Sequence, residues 1–148
     1  MYLVSACLAG VNCRYNGENS EDKRVSELVK KGKAISICPE LLAGLPIPRA
    51  CCELIVDNDG NERILTQDGR DFTEQFREAA EKTLKIAKTI GIEKAILQLR
   101  SPSCGYGLIY DGNFSGDLKE GNGLTAKLLA ENGIKVYTEN DLDKLDLE

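Results

Sequence analysis

Apolar and polar positions along the chain follow two rhythms. Four short apolar runs, Tyr2–Ala6, Ala34–Ile37, Ala95–Leu99 and Ile134–Tyr137, have the length and continuity of buried strands. Between them the pattern changes to a helical period. Val25, Leu28 and Val29 form one stripe after Ser20 or Asp22, either of which can cap it, and Gly32 suits its end. Phe76, Ala80, Thr83, Ala87 and Ile90 mark one face of a longer helix. It is preceded by a capping-box spacing at Asp71–Glu74 and ended by Gly91. Leu124, Leu128 and Leu129 make a third stripe, closed by Gly133. Glu53–Val56 and Arg63–Thr66 alternate around Asp57–Asn61 and predict a β-hairpin. Residues 109–117 read as a Gly-rich loop, 41–49 as a stiff Pro-containing connection, and the acidic tail from Asp141 to Glu148 as one helical turn.

Strands alternating with helices predict an α/β fold. The expected sheet is mostly parallel and Rossmann-like, with helices on both faces and the hairpin as an insertion, in one domain spanning residues 1–148. In such a sheet the C-terminal ends of the strands share one edge. Cys7, Cys38 and Cys104 all follow strand ends, so the topology gathers them at one rim with Glu40 and Ser101. The last of these turns, Arg100–Gly107, runs through Pro102, Gly105 and Gly107, where Pro cannot join a ladder and Gly admits unusual backbone angles.

Composition narrows the chemistry. The chain has no histidine, which removes His triads, His-ligated metals and His bases. Acid–base work must then fall to carboxylates, Cys, Tyr, Lys or metal-bound water. The net charge of −5 and the lack of a basic run argue against extended nucleic acid, though not against a single nucleotide. No apolar stretch reaches a membrane-spanning length, and the few residues before Cys7 make no signal peptide. A cytoplasmic protein follows, where clustered cysteines bind metal or do chemistry more often than they form disulfides.

Each candidate also has a plain structural reading. A single cysteine is often a small buried hydrophobe, and Cys51 and Cys52, being adjacent, read as structural. Cys13 lies within reach of the rim. Glu40 is a helix-start carboxylate or an acid/base group, Ser101 a turn-former or a hydroxyl aimed into the site. Arg49 is a salt-bridge partner in preference to an anion-binding residue. Zinc fits poorly without Cys-x-x-Cys pairs or histidine, and a redox dithiol lacks the same motif. A cubane iron–sulfur cluster accepts ligands from distant loops, and three thiolates leave one iron open.

Several motifs occur in order: Ser5–Gly10, Cys13–Gly17, Cys38-Pro39-Glu40, Gly44–Arg49, Ser101–Gly105 and Ile109–Gly116. Together, from Leu3 to about Tyr137, they closely resemble the thiouracil desulfurase (desulfidase) family. The resemblance implies a 4Fe–4S cluster on Cys7, Cys38 and Cys104 with one iron open to substrate sulfur, Glu40 as acid/base group and Ser101 as catalytic serine. The implied substrate is a small thiolated pyrimidine, 2- or 4-thiouracil or its nucleotide. The implied reaction is non-redox loss of its sulfur as hydrogen sulfide. The family pattern does not require a cysteine at position 13, where valine is common, and usually has proline where Cys51 stands. The alternative from another class is a non-catalytic iron–sulfur or zinc module that senses metal or redox state. The sequence leaves oligomeric state open.

Overall fold

The structure is a computed structural model and describes residues 1–147; residue 148, the end of the expected tail helix, lies outside the described residues. Four strands, β1 (Tyr2–Ser5), β2 (Ala34–Ile37), β5 (Lys94–Leu97) and β8 (Lys135–Thr138), form a parallel sheet in the order β2-β1-β5-β8. The register pairs Ser5 with Ile37 and Leu97 with Thr138, so the strands end nearly level. The continuous apolar runs have a direct cause: the sheet is covered on both faces. Leu3, Ala95, Leu97 and Val136 pack against α3 (Thr73–Ile90) and α4 (Leu124–Glu131) through Ala87, Ala126 and Leu129. Val4 and Ile96 face the other way, onto Val25 and Leu28 of α1 (Lys23–Lys30) and onto Leu142 of the tail. The expected α/β architecture is thus the observed one.

The chain begins at the centre of the sheet, runs outward to β2, and returns on the other side through β5 and β8. The direction of winding reverses between β1 and β5. Such a switch point opens a crevice beyond the strand ends, where α/β proteins bind ligands.

Local signals account for most boundaries. Asp22 caps α1, its side chain accepting from the Arg24 amide at 2.9 Å. The box expected at Asp71–Glu74 does not form: the cap position is Phe72, without a side-chain cap bond, while Asp71 accepts from the Thr73 amide at 2.8 Å and Glu74 turns outward to Arg77. The hairpin appears as β3 (Cys52–Val56) and β4 (Glu62–Thr66). The tail forms a 3-10 helix over Glu139–Lys144, with a complete capping box from Thr138 and Asp141.

A second expectation is corrected. Residues 109–117 are not simply a loop: β6 (Leu108–Tyr110) pairs antiparallel with β7 (Leu118–Glu120) around a Gly-containing turn. Strands of three residues carry too little alternation to be read from sequence. What holds this pair is tertiary. Ile109 is buried against Leu54, Ile64 and Phe76, and Arg100 bridges to Ile109 from the end of the β5 segment.

The turn after β5 is locked to the start of α4. Carbonyls of Pro102, Ser103 and Gly105 accept from Leu124, Thr125 and Gly123 at 2.7–3.0 Å, satisfying amides that a helix start leaves free. The Ser103 and Thr125 hydroxyls, both fully buried, share a hydrogen bond of 2.9 Å. Gly123 permits this contact, since a Cβ there would sit 2.5 Å from the Ser103 carbonyl. Its φ of −65° is ordinary, so only space demands glycine. Gly123→Ala is therefore expected to cost roughly 1–3 kcal/mol by overpacking, seen as a lower urea midpoint at unchanged slope.

Candidate active site

The crevice at the switch point is a cavity of about 300 Å³. Cys7, Cys13, Cys38, Cys51, Cys52 and Cys104 line it with Glu40, Arg49 and Ser101. The structure thus brings the three strand-end cysteines, the glutamate and the serine together, and adds the other three thiols. All six cysteines are free.

Each thiol has a local reason for its position. Cys7 follows β1 in a short 3-10 helix over Ala6–Ala9, ended by Gly10 at φ 93°. Cys38 caps the four-residue helix α2 (Pro39–Leu42), with Pro39 at the first helical position, where no amide is needed. Its thiol donates to the Cys13 carbonyl at 3.8 Å. Cys104 is buried inside the turn after β5. Cys13 is also buried, packed with Ala6, Cys7 and Cys38.

Ser101 organises the turn that carries Cys104. Its hydroxyl oxygen accepts from the Cys104 amide at 2.6 Å and from the Ser103 amide at 3.3 Å. Both lone pairs are engaged, so the hydroxyl hydrogen is left to donate. Arg100, just before it, has φ 72°, a left-handed conformation that costs a non-Gly residue about 1–3 kcal/mol. Gly107 uses the backbone freedom expected of it, at φ 88°. Gly105 does not: a Cβ there would lie 2.6 Å from the Ser101 carbonyl, so its role is to admit the backbone.

Arg49 forms the salt bridge expected of it. Its Nη2 lies 2.7 Å from Glu40 Oε2, and both side chains are largely buried, at 9% and 15% exposure. The same nitrogen donates to the Cys13 carbonyl at 2.9 Å. One guanidinium therefore fixes the carboxylate and ties together the loops that carry Cys13 and Cys38.

The electrostatics keep Cys13, Cys38, Cys52 and Cys104 protonated. Burial pushes Cys104 well above the usual thiol range, aided by the Glu40 charge, while hydrogen bonds with Ser5 and Ser103 oppose the rise. Cys38 is pushed up by its hydrogen bond with the Cys13 thiol, then by burial and Glu40. For Cys13 the contact with Cys38 lowers the pKa, but the contact with Cys7, burial and nearby charge raise it to about 11. Burial takes Cys52 up to about 11. Protonated, soft, buried sulfurs are poor nucleophiles but good prospective metal ligands, which release protons on binding. Among the described residues, no three thiols or carboxylates converge as the ligands of one metal ion would. They surround the cavity instead.

Sequence reasoning passed over four groups here. Ser5 Oγ accepts from the Gln98 amide at 2.9 Å and joins the ends of β1 and β5. Ser103 anchors the turn to α4. Gln98 and Glu139 line the cavity at the β5 and β8 ends. Gln98 and Glu139 lie in no motif, and Ser5 and Ser103, although inside the Ser5–Gly10 and Ser101–Gly105 motifs, acquire these roles only when distant segments pack.

Comparison with known proteins agrees with this geometry. A family model described as 2-thiouracil desulfurase matches residues 2–141. The chain belongs to that family. It is 44% identical over 150 residues to the uncharacterized protein YbbK of Bacillus subtilis (strain 168), covering 98% of this chain and 99% of YbbK. A solved structure of the [4Fe-4S]-dependent thiouracil desulfidase TudS superposes with a TM-score of 0.88 at 38% identity, over 97% of this chain and 93% of TudS. The protein is therefore an enzyme of the desulfurase family, acting on carbon–sulfur bonds. No helix among the described residues is long and apolar enough to cross a membrane.

Glu139 supplies a pH test of the cavity. Burial raises its carboxyl above the ordinary 4.5, against hydrogen bonds from the Leu99 amide and its own. A raised folded pKa gives a contribution that is fully present below the unfolded value and lost as pH rises through the folded one. Glu139→Gln keeps an acceptor for Leu99 and has no charge to bury. It is expected to unfold at a higher temperature than the wild type at pH 7 and to lose that advantage at pH 4.

Proposed function

We propose that this enzyme is a cluster-dependent desulfidase. It hydrolyses the thiocarbonyl of a small thiolated pyrimidine, 2- or 4-thiouracil or its nucleotide, to the oxo base and hydrogen sulfide. The carrying observation is three strand-end thiols around one cavity beside a carboxylate held by a buried arginine.

The donor set suits a 4Fe–4S cluster. The thiols are free, soft and arranged around a space rather than about a single point, and no histidine competes. Cys7, Cys38 and Cys104 would hold it, each from a different loop of the switch point. Cys13 is left out of the ligand set because the family pattern does not require a cysteine at that position. Bound there, the cluster would supply an open, sulfur-seeking Lewis-acid position.

The remaining work falls to side chains. Water adds its oxygen to the ring carbon and the carbon–sulfur bond breaks, with no net change in oxidation state. Glu40 takes one proton from that water as its oxygen adds and passes it to the sulfur. It then moves the second from the hydroxyl so formed to the sulfur as the carbon–sulfur bond breaks, so that the sulfur leaves as hydrogen sulfide and the ring keeps the oxo group. Arg49 holds the carboxylate in one orientation throughout, so little reorganisation is needed at each transfer. Ser101, its lone pairs occupied by two amides, donates its hydroxyl hydrogen to the substrate or to the water.

Anaerobic reconstitution with iron and sulfide, followed by a sulfide-release assay over 2-thiouracil, 4-thiouracil and their nucleotides, tests the reading. Release with formation of the oxo base is expected. A protein that takes up no iron, or releases no sulfide from any of these, contradicts it. Cys104→Ala is expected to lose the cluster absorption. Glu40→Gln is expected to keep it while kcat falls by roughly 10²–10⁴, the usual worth of a general acid–base group; normal turnover would remove Glu40 from this role.

A further inference from the structure

The three strand-end thiols follow β1, β2 and β5, and the β5–β8 side of the cavity also carries two side chains with no assigned role. The register pairs Leu97 with Thr138, so Gln98 and Glu139 are the next residues on two neighbouring strands. Both are half-buried and both line the cavity. The Gln98 backbone amide donates to Ser5 Oγ, and the Leu99 amide donates to Glu139 Oε1 at 2.8 Å, which fixes the Gln98 backbone and the Glu139 carboxylate. The Gln98 side-chain amide makes no hydrogen bond to any described residue. A primary amide left unpartnered in a cavity offers N–H donors and a carbonyl acceptor side by side. The neighbouring carboxylate offers acceptors.

We propose that Gln98 and Glu139 form the subsite that reads the ring edge of the substrate. This rests on the desulfidase reading above. A thiolated uracil presents a ring N–H beside its thiocarbonyl and a carbonyl beyond it. With the sulfur at Cys7, Cys38 and Cys104, the remaining edge turns toward Gln98 and Glu139 at the β5–β8 side. Glu139 accepts from the ring N–H, and the Gln98 amide donates to the ring carbonyl. A polar site of this kind rejects a ring that lacks the hydrogen, because its own groups are then left unpaired. Selectivity for an unsubstituted N3 follows.

The reconstituted holoenzyme tests this with whichever of 2-thiouracil and 4-thiouracil the wild type desulfurises, each against its N3-methyl analogue. The wild type is expected to discriminate strongly against the methylated ring. Gln98→Leu and Glu139→Gln are each expected to raise KM roughly ten-fold, the worth of about one hydrogen bond to a buried partner. They should change kcat less, narrow the discrimination, and keep wild-type iron content and absorption. Gln98→Asn, which withdraws the amide by one methylene, should behave like Gln98→Leu and serves if the apolar variant folds poorly. Variants with wild-type KM and wild-type discrimination overturn the subsite while leaving the desulfidase reading intact. Loss of iron from these variants also overturns it, since the residues would then serve the metal site. Failure of the wild type to release sulfide from either base would defeat the desulfidase reading itself, and the subsite with it.

Discussion

The site depends on one constraint: four parallel strands that end level at a single edge. Parallel pairing in register brings the residues after Ser5, Ile37, Leu97 and Thr138 together, although they are widely separated in the chain. The reversal of winding between β1 and β5 keeps the loops after those strands from filling the space between them. The apolar cost of this arrangement is met by burying both faces of the sheet, which is why the strands read as unbroken hydrophobic runs. Function and stability thus draw on the same feature. The strands must be apolar to lie between two helix layers, and only their ends are free to carry chemistry.

Two polar devices convert that edge into a defined site. Arg49 joins Glu40 to the Cys13 loop through one buried guanidinium. Ser101 folds the Cys104 turn around its own hydroxyl, and that turn is in turn bolted to α4 by Ser103 and by the close approach at Gly123. Buried charge pairs of this kind are costly to break from one side, so the carboxylate is held in place as firmly as the apolar core around it. The thiols differ. The contact with the Cys13 thiol, then burial and the Glu40 charge, keep Cys38 protonated in the protein alone, and burial and the Glu40 charge keep Cys104 so. A metal centre would reverse that balance by displacing their protons.

Much of this was legible in the sequence because it follows from periodicity. Four apolar runs and three helical stripes predicted the parallel sheet, and the sheet alone predicted that Cys7, Cys38 and Cys104 would share a rim. A salt bridge was also expected of Arg49, a charged residue after a stiff Pro-containing segment, whereas its partner, Glu40, emerged only from the fold. What sequence could not show depends on contacts between distant segments. The β6–β7 pair is held by Ile109 against Leu54, Ile64 and Phe76 rather than by its own pattern. Ser5, Ser103, Gln98 and Glu139 look like ordinary polar residues until the strands that carry them are paired. Gly105 was read for backbone freedom, whereas its actual service is to leave room for the Ser101 carbonyl.

The central claim is that three thiols from three strand ends hold one iron–sulfur centre with a position left open. Mössbauer spectroscopy of protein reconstituted with 57Fe, with and without added 2-thiouracil, tests it most directly. The account predicts a cubane cluster in which one iron environment stands apart from the other three and alone shifts when the thiolated base is added. Mononuclear iron, or a cluster whose irons are all equivalent and indifferent to the base, would contradict it.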